Sequence, residues 1–284
     1  PQLNRSRALD RRLVASVMTT TFGGSDTEGA WIWRDAYDAV EAALVLQIRR
    51  LGPQIGRLED APAEIAALLA NLAELGLTYT RRSEEQVALD QFSTPPQLGA
   101  LAVLAAQVRA GDQVLEPSAG TGLLAIFAEL AGARLALNEL ADTRADLLAR
   151  LFPDGPVSRH DAAHIHDHLD AAVAPRVVLM NPPFTAVAHV DHAMKDAALR
   201  HVGSALARLR PGGRLVAITG AGCSPHNPAW TDTFVQLQAR GQIVFSAAID
   251  GQVYARHGTT AATRLTVFDR VPADDPARFP DTPG

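Results

Sequence analysis

The 284-residue chain has little of several things, and each scarcity narrows what it can be. It holds one cysteine, Cys223, which excludes an internal disulfide framework and fits a reducing, cytoplasmic setting. A lone thiol at a strand end reads as inert rather than nucleophilic. No apolar run reaches the length of a membrane span, and no signal-peptide pattern is read at the start. Aromatic residues make up only 5% of the chain. There is no basic excess: the formal net charge is −5, where a stand-alone DNA-binding enzyme usually carries a basic face. The local groups Arg5, Arg7, Arg11, Arg12 and Arg49, Arg50, Arg57 read first as solvated helix faces. No internal repeat is seen. The first residue is Pro1 rather than methionine, so the chain is expected to be processed, trimmed or a piece of a longer protein.

What is present begins with Asn181-Pro182-Pro183-Phe184, which ends the apolar run of residues 176–180. An asparagine after a buried strand, followed by two prolines and an aromatic, makes a rigid polar notch under a flat apolar lid. The Asn181 side-chain oxygen and the Pro182 carbonyl can each accept a hydrogen bond from a planar NH2 group. Phe184 can stack on a base. The prolines fix φ and remove backbone donors, so the acceptors stay aimed. The plainer reading is a proline-stiffened turn after a strand.

Residues 113–116 read as a short buried strand that runs into Pro117-Ser118-Ala119-Gly120-Thr121-Gly122 and then an apolar helical stretch. Strand, glycine turn and helix form a nucleotide-type cradle. The third glycine of a dinucleotide fingerprint is replaced by Ala125, and no Gly-Lys-Ser/Thr follows, so neither that fingerprint nor a Walker loop applies. Glu116 at the strand tip suits an ammonium better than a phosphate. The next strand, 134–137, ends in Asn138-Glu139, and Glu139 follows Gly120 by 19 residues, the distance of an acid that takes ribose hydroxyls. A third strand, 157–160, ends in Asp161-Ala162, where an acid can take the amino group of an adenine. A ligand with an amino acid, a ribose and an adenine but no phosphate is S-adenosylmethionine.

These motifs resemble those of class I methyltransferases that methylate amino groups, and their order resembles the gamma arrangement of DNA adenine-N6 methyltransferases. In that resemblance Phe92-Ser93-Thr94-Pro95 matches the F-x-T-P cofactor segment. Glu116, Pro117, Ser118, Ala119, Gly120 and Gly122 match the glycine loop. Glu139 matches the ribose acid, Asp161 and Ala162 the adenine site, and Asn181, Pro182, Pro183 and Phe184 the catalytic motif, with Asn181 also among the cofactor-binding residues. The resemblance covers roughly residues 91–270. The short stretch between Asp161 and Asn181 leaves no room for an inserted target-recognition domain. Residues 23–43, 91–105 and 254–270 also resemble the methylase portion of bacterial and phage strawberry-notch-like methylase–helicase proteins, some with antirestriction roles. That resemblance implies a longer polypeptide with an attached helicase region.

The implied fold is α/β: a Rossmann-like, seven-stranded, mostly parallel sheet with an N-terminal helical layer. Residues 1–90 are expected to be a helical region with helices at 3–20, 31–50, 62–75 and 81–89, packed beside the cofactor mouth. Residues 91–270 form the methyltransferase domain, with helices at 97–108, 121–131, 141–151, 190–209 and 229–239. Its later strands fall at 214–218, 242–248 and 263–270, with a loop at 252–260, and the last pair is expected to be antiparallel. Residues 271–284 read as a tail or linker. Because ligands bind at the carboxyl ends of parallel strands, Gly120, Glu139, Asp161 and Asn181 should converge.

The expected activity is methyl transfer from S-adenosylmethionine to adenine N6 in DNA, single-stranded or with the base flipped out, with weak or short sequence preference. Other acceptors fit the same motif: cytosine N4, ribosomal-RNA guanine N2 or a protein glutamine. A non-catalytic S-adenosylmethionine-binding regulatory module is the alternative from another class. Tyr254 is a candidate wall for the flipped base. Trp31 and Trp33 read as packing residues. His164 and His168 would share a helix face, but no further ligand completes a metal set, and no metal is expected.

Overall fold

The computed structural model describes residues 8–56, 60–78, 93–182 and 197–281. The chain first forms four helices: α1 (Arg11–Phe22), α2 (Trp33–Arg50), the short α3 (Gly52–Ile55) and α4 (Pro62–Glu74). The Asp10 carboxylate caps α1 by accepting from the Leu13 N–H at 2.8 Å. Helix and strand then alternate through α5 (Pro96–Ala106), β1 (Gln113–Glu116), α6 (Ala125–Leu130), β2 (Arg134–Asn138), α7 (Asp142–Leu151) and β3 (Val157–Ser158). After a 3₁₀ turn at Ala162–His164 come α8 (Ile165–His168), β4 (Val177–Met180), α9 (Ala197–Arg208), β5 (Arg214–Gly220), α10 (Thr231–Gln238), β6 (Gln242–Ile249) and β7 (Thr263–Asp269).

The seven strands form one sheet in the order β3-β2-β1-β4-β5-β7-β6. β1 to β5 run parallel, and β7 is inserted antiparallel between β5 and β6. The fold expected from the sequence, including the antiparallel last pair, is the fold observed. The strand interiors explain it. Val177-Val178-Leu179-Met180 is buried throughout, as a strand covered on both faces must be. Alternate residues serve opposite faces. Val114, Val177, Leu179, Val216 and Ile218 join the core beneath α5, α6 and α2. Leu115, Val178, Met180, Leu215 and Ala217 join the core beneath α9 and α10.

α2 docks on the sheet domain through one face. Asp38, Glu41, Val45 and Ile48 recur at helical spacing and are all buried. Asp38 meets Arg144 of α7 at 3.0 Å, and Arg49 reaches both Glu129 of α6 at 2.6 Å and the Leu151 carbonyl at 2.9 Å.

Several elements differ from the sequence expectation, beginning with the helix expected at 3–20, which Asp10 caps so that it starts at Arg11. The helix after the glycine turn starts at Ala125 rather than at residue 121, because Gly122 holds φ +89, which no helix interior accepts. A Cβ on Gly122 would also lie 2.4 Å from the Phe152 ring. β3 stops at Ser158 because the Asn138 side chain, not a strand partner, takes the His160 N–H at 2.9 Å and donates to the His160 carbonyl at 2.8 Å. The 252–260 loop contains a 3₁₀ helix, Gly251–His257, capped by Asp250. Residues 271–281 lie against α10: Gln238 Nε2 donates to the Pro276 and Arg278 carbonyls, and Phe279 packs edge-on to Phe234. The helix expected at 81–89 and the first residues of the one expected at 190–209 lie outside the described residues.

Candidate active site

The carboxyl ends of β1, β2, β3 and β4 open on one cavity of about 300 Å³. Glu116 closes β1 with its carboxyl buried to 2% exposure against the cavity. Its Oε2 has no hydrogen-bond partner among the described residues. Burial pushes this carboxyl well above the usual carboxylate range; the Ala125 N–H opposes the shift and the Glu139 charge adds to it. A buried acid left without a partner is costly unless a ligand supplies a cation or a donor.

β2 ends in two residues with different tasks. Asn138 is internal: its Nδ2 donates to the Pro117 and His160 carbonyls, and its Oδ1 accepts from Ser158 Oγ and the His160 N–H. All of its hydrogen-bonding capacity goes to tying the tips of three strands together. Glu139 faces the cavity. Its Oε2 accepts from the Gly120 N–H at 2.8 Å and its Oε1 from the Ala141 N–H at 3.0 Å, so the acid is held against the glycine turn with lone pairs left for a ligand.

Beyond β3, Asp161 accepts from the Ala163 N–H at 2.9 Å and remains 58% exposed at the cavity edge. His201 of α9 lines the same edge, its Nε2 4.0 Å from Asp161 Oδ1. Burial lowers the His201 pKa, Asp161 partly opposing. Leu140, an exposed apolar residue, forms part of the wall.

Asn181 follows β4 and completes the cavity on the side of Thr94. Its Nδ2 donates to Thr94 Oγ1 at 3.0 Å. Close to it lies Tyr254, fully buried.

Ser93, Thr94, Glu116, Pro117, Ser118, Ala119, Gly120, Glu139, Asp161, Ala162 and Asn181 thus line one cavity. Gly122 shapes the turn from behind, Pro95 is the N-cap residue of α5, and Pro182 is buried beside Asn181. Phe92, Pro183 and Phe184 lie outside the described residues. Among the described residues the wall is rich in carboxylates and has one arginine, Arg144, which is engaged by Asp38. Such a wall takes an ammonium and hydroxyls, and disfavours a phosphate.

This is the fold of class I methyltransferases. A proposed class I S-adenosylmethionine-dependent methyltransferase from Listeria monocytogenes superimposes with a TM-score of 0.55 at 14% identity, covering 81% of this chain and 71% of that one. A proposed RNA methyltransferase from Pyrococcus horikoshii gives 0.54 at 19% identity, over 75% of this chain and 99% of that one. The modification subunit of a proposed type I restriction enzyme from Vibrio vulnificus gives 0.52 at 18% identity, over 71% of this chain and only 52% of that subunit. No protein-family model and no curated protein matches the chain.

The sequence reading missed several residues of this region. Glu41 accepts from the Thr121 hydroxyl at 2.6 Å, linking α2 to the glycine turn. Its signal is an acid on the apolar face of an otherwise amphipathic helix. Arg144, Leu123, Leu124 and His201 line the cavity but belong to no motif. Other candidates settle into structural roles. Trp31 is buried and packs edge-on to Trp33 at 5.4 Å. Burial pushes the Cys223 thiol up to about 11, far from thiolate chemistry at neutral pH. His160 stacks on His168 at 5.0 Å, and among the described residues no group of three His, Cys, Asp or Glu side chains is arranged for a metal. Among them no helix is long and apolar enough to cross a membrane.

Proposed function

We propose that this chain is an S-adenosylmethionine-dependent methyltransferase acting on the N6 amino group of adenine in DNA. The observation that carries the reading is the meeting, in one cavity, of a buried carboxyl whose Oε2 has no partner among the described residues, Glu116, and Asn181 of the Asn-Pro notch. The cofactor fits the residues present. Glu116 takes the ammonium, Glu139 the ribose hydroxyls and Asp161 the adenine amino group, with Ser93 and Thr94 at the amino-acid end. When bound, the cofactor supplies an electrophilic methyl group on a sulfonium.

The chain's own residues hold and orient the acceptor. Asn181 Oδ1 and the Pro182 carbonyl each accept from the target NH2, so its lone pair turns toward the cofactor as the nitrogen goes from sp2 toward sp3. Phe184 stacks on the base. No strong base is needed, because the proton leaves after positive charge has developed on nitrogen. A duplex adenine must be flipped out of the stack to enter.

One feature favours DNA adenine over other amino groups: the Phe92-Ser93-Thr94-Pro95 segment ahead of the glycine turn. The strawberry-notch-like resemblance of residues 23–43, 91–105 and 254–270 supports a place in a larger methylase–helicase protein. The deciding experiment supplies tritiated S-adenosylmethionine with DNA, RNA and protein substrates. Label on DNA recovered as N6-methyladenine supports the reading. Label on RNA or protein moves the acceptor. Binding without transfer to any of them makes the chain a regulatory module.

A further inference from the structure

His201 lines the cavity but belongs to none of the motifs read in the sequence. It stands on α9, and that helix is fastened to the segment that carries Asp161. The Ser204 hydroxyl accepts from the His166 N–H at 3.0 Å, and Arg208 Nε donates to the Val173 carbonyl at 2.7 Å. His201, Ser204 and Arg208 recur at helical spacing, so they form one stripe facing residues 161–173. The imidazole is thereby held beside Asp161, its Nε2 4.0 Å from Asp161 Oδ1.

The two ring nitrogens have different surroundings. Nδ1 is buried and has no hydrogen-bond partner among the described residues. Nε2 faces a carboxylate, so it is the nitrogen that keeps the proton in a neutral ring. Burial favours that neutral form. The cavity edge thus offers an acceptor and a donor side by side: the Asp161 carboxylate, 58% exposed, and the His201 Nε2–H. At 4.0 Å the pair is too long for a hydrogen bond, which leaves the N–H for a ligand.

An adenine presents the matching pattern. Its amino group donates, and the ring nitrogen on either side of that group, N1 or N7, accepts. Asp161 alone satisfies the amino group but sets a negative charge beside the lone pair of a neighbouring ring nitrogen. We infer that His201 is a second residue reading the cofactor's adenine, its Nε2–H donating to a ring nitrogen next to the amino group that Asp161 takes. This rests on the reading of Asp161 as the acceptor of that amino group.

The test is calorimetric binding of S-adenosylhomocysteine and of its 1-deaza and 7-deaza analogues, in which a CH replaces one ring nitrogen. The proteins are the full wild-type chain and His201→Phe, which keeps a flat ring and removes the N–H. In the wild type one of the two analogues should bind about fivefold more weakly than the parent. His201→Phe should weaken the parent by a similar factor and bind that analogue no worse than the parent. The inference is overturned if both analogues bind the wild type as tightly as the parent, or if the deficit persists undiminished in His201→Phe. S-inosylhomocysteine, with a carbonyl where adenine has its amino group, tests Asp161 separately. If the wild type binds it as well as the parent while the deaza deficit still depends on His201, the His201 contact stands and the Asp161 assignment alone falls. If the wild type rejects it and the deficit does not depend on His201, the His201 inference alone falls. No binding of S-adenosylhomocysteine at all overturns both.

Discussion

Glu41 of α2 accepts a 2.6 Å hydrogen bond from the hydroxyl of Thr121, 80 residues away in the glycine turn. Both side chains are buried. The same face of α2 carries Asp38, which holds Arg144 at the cavity wall. A helix with no cofactor-binding or catalytic motif thus braces the turn that Glu139 also holds.

Glu41→Ala should therefore do two things. It leaves the buried Thr121 hydroxyl unpaired, which costs about 1–3 kcal/mol of stability. It should also loosen the turn and reduce the rise in melting temperature given by S-adenosylhomocysteine, a ligand expected to bind only the native state. Glu139→Ala is the companion variant. It removes the acceptor of the Gly120 N–H and the one proposed for the ribose, with an expected loss of about 1.5–3 kcal/mol in ligand binding. Urea denaturation with and without ligand separates the two effects. An unchanged ligand shift in Glu41→Ala would confine that residue to stability, and unchanged calorimetric binding in Glu139→Ala would remove the ribose assignment.

Glu116 makes the empty and filled sites respond oppositely to pH. Burial raises its folded pKa well above the ordinary 4.5, so its effect favours the ligand-free fold below the unfolded carboxyl range. That contribution is lost as pH rises through the folded value. An ammonium ligand prefers the carboxylate. Binding must then release a proton wherever Glu116 is protonated in the free protein, and affinity should rise with pH across that window. Calorimetry in buffers of different ionisation enthalpy counts the protons. Glu116→Gln should abolish both the release and the pH dependence. Zero proton release in the wild type throughout the window would show that Glu116 does not meet a cation.

Asn181→Ala should leave the fold and ligand binding in place and reduce methyl transfer to background, because it deletes an acceptor needed only to orient the incoming nitrogen. Phe184→Ala should weaken substrate binding by about 1–3 kcal/mol, the usual worth of one base stacked on an aromatic ring. Thermal melting with ligand and a steady-state assay on the same preparations suffice. Full activity in Asn181→Ala would take the notch out of the mechanism.

Much of this was legible in the residues. The apolar run before Asn181, the glycine turn after Glu116 and the acid after Asn138 each mark a strand end, and parallel strands bring their ends together. What stayed hidden depends on tertiary contact. Nothing local to Glu41 or Arg144 reveals that they face Thr121 and Asp38 across the α2 interface. Asn138 looked like the neighbour of a functional acid, yet its four side-chain bonds tie strand tips together and shorten β3. Tyr254 was read as a surface for a base because it sits before the last strand. Its depth depends on how the 3₁₀ helix closes over Gly251, and sequence spacing carries no record of that.

Substrate choice gives the widest test of the proposed function. Sequence-specific readout needs side chains placed in a groove, usually on a dedicated element. From Asp161 to Asn181 the chain has only a 3₁₀ turn, the four-residue α8 and β4, with no inserted reader. The net charge of −5 supplies no overall basic excess either. Methylation by this chain should therefore show weak or very short sequence preference. It should also fall steeply with added salt, since phosphate contacts supply most of such binding. A mixed DNA library methylated at several salt concentrations, with modified adenines mapped by sequencing, measures both at once. A long strict recognition site would refute the expectation and direct attention to the helices of residues 1–90 as the reader. Activity indifferent to salt would mean that contacts other than phosphate hold the DNA.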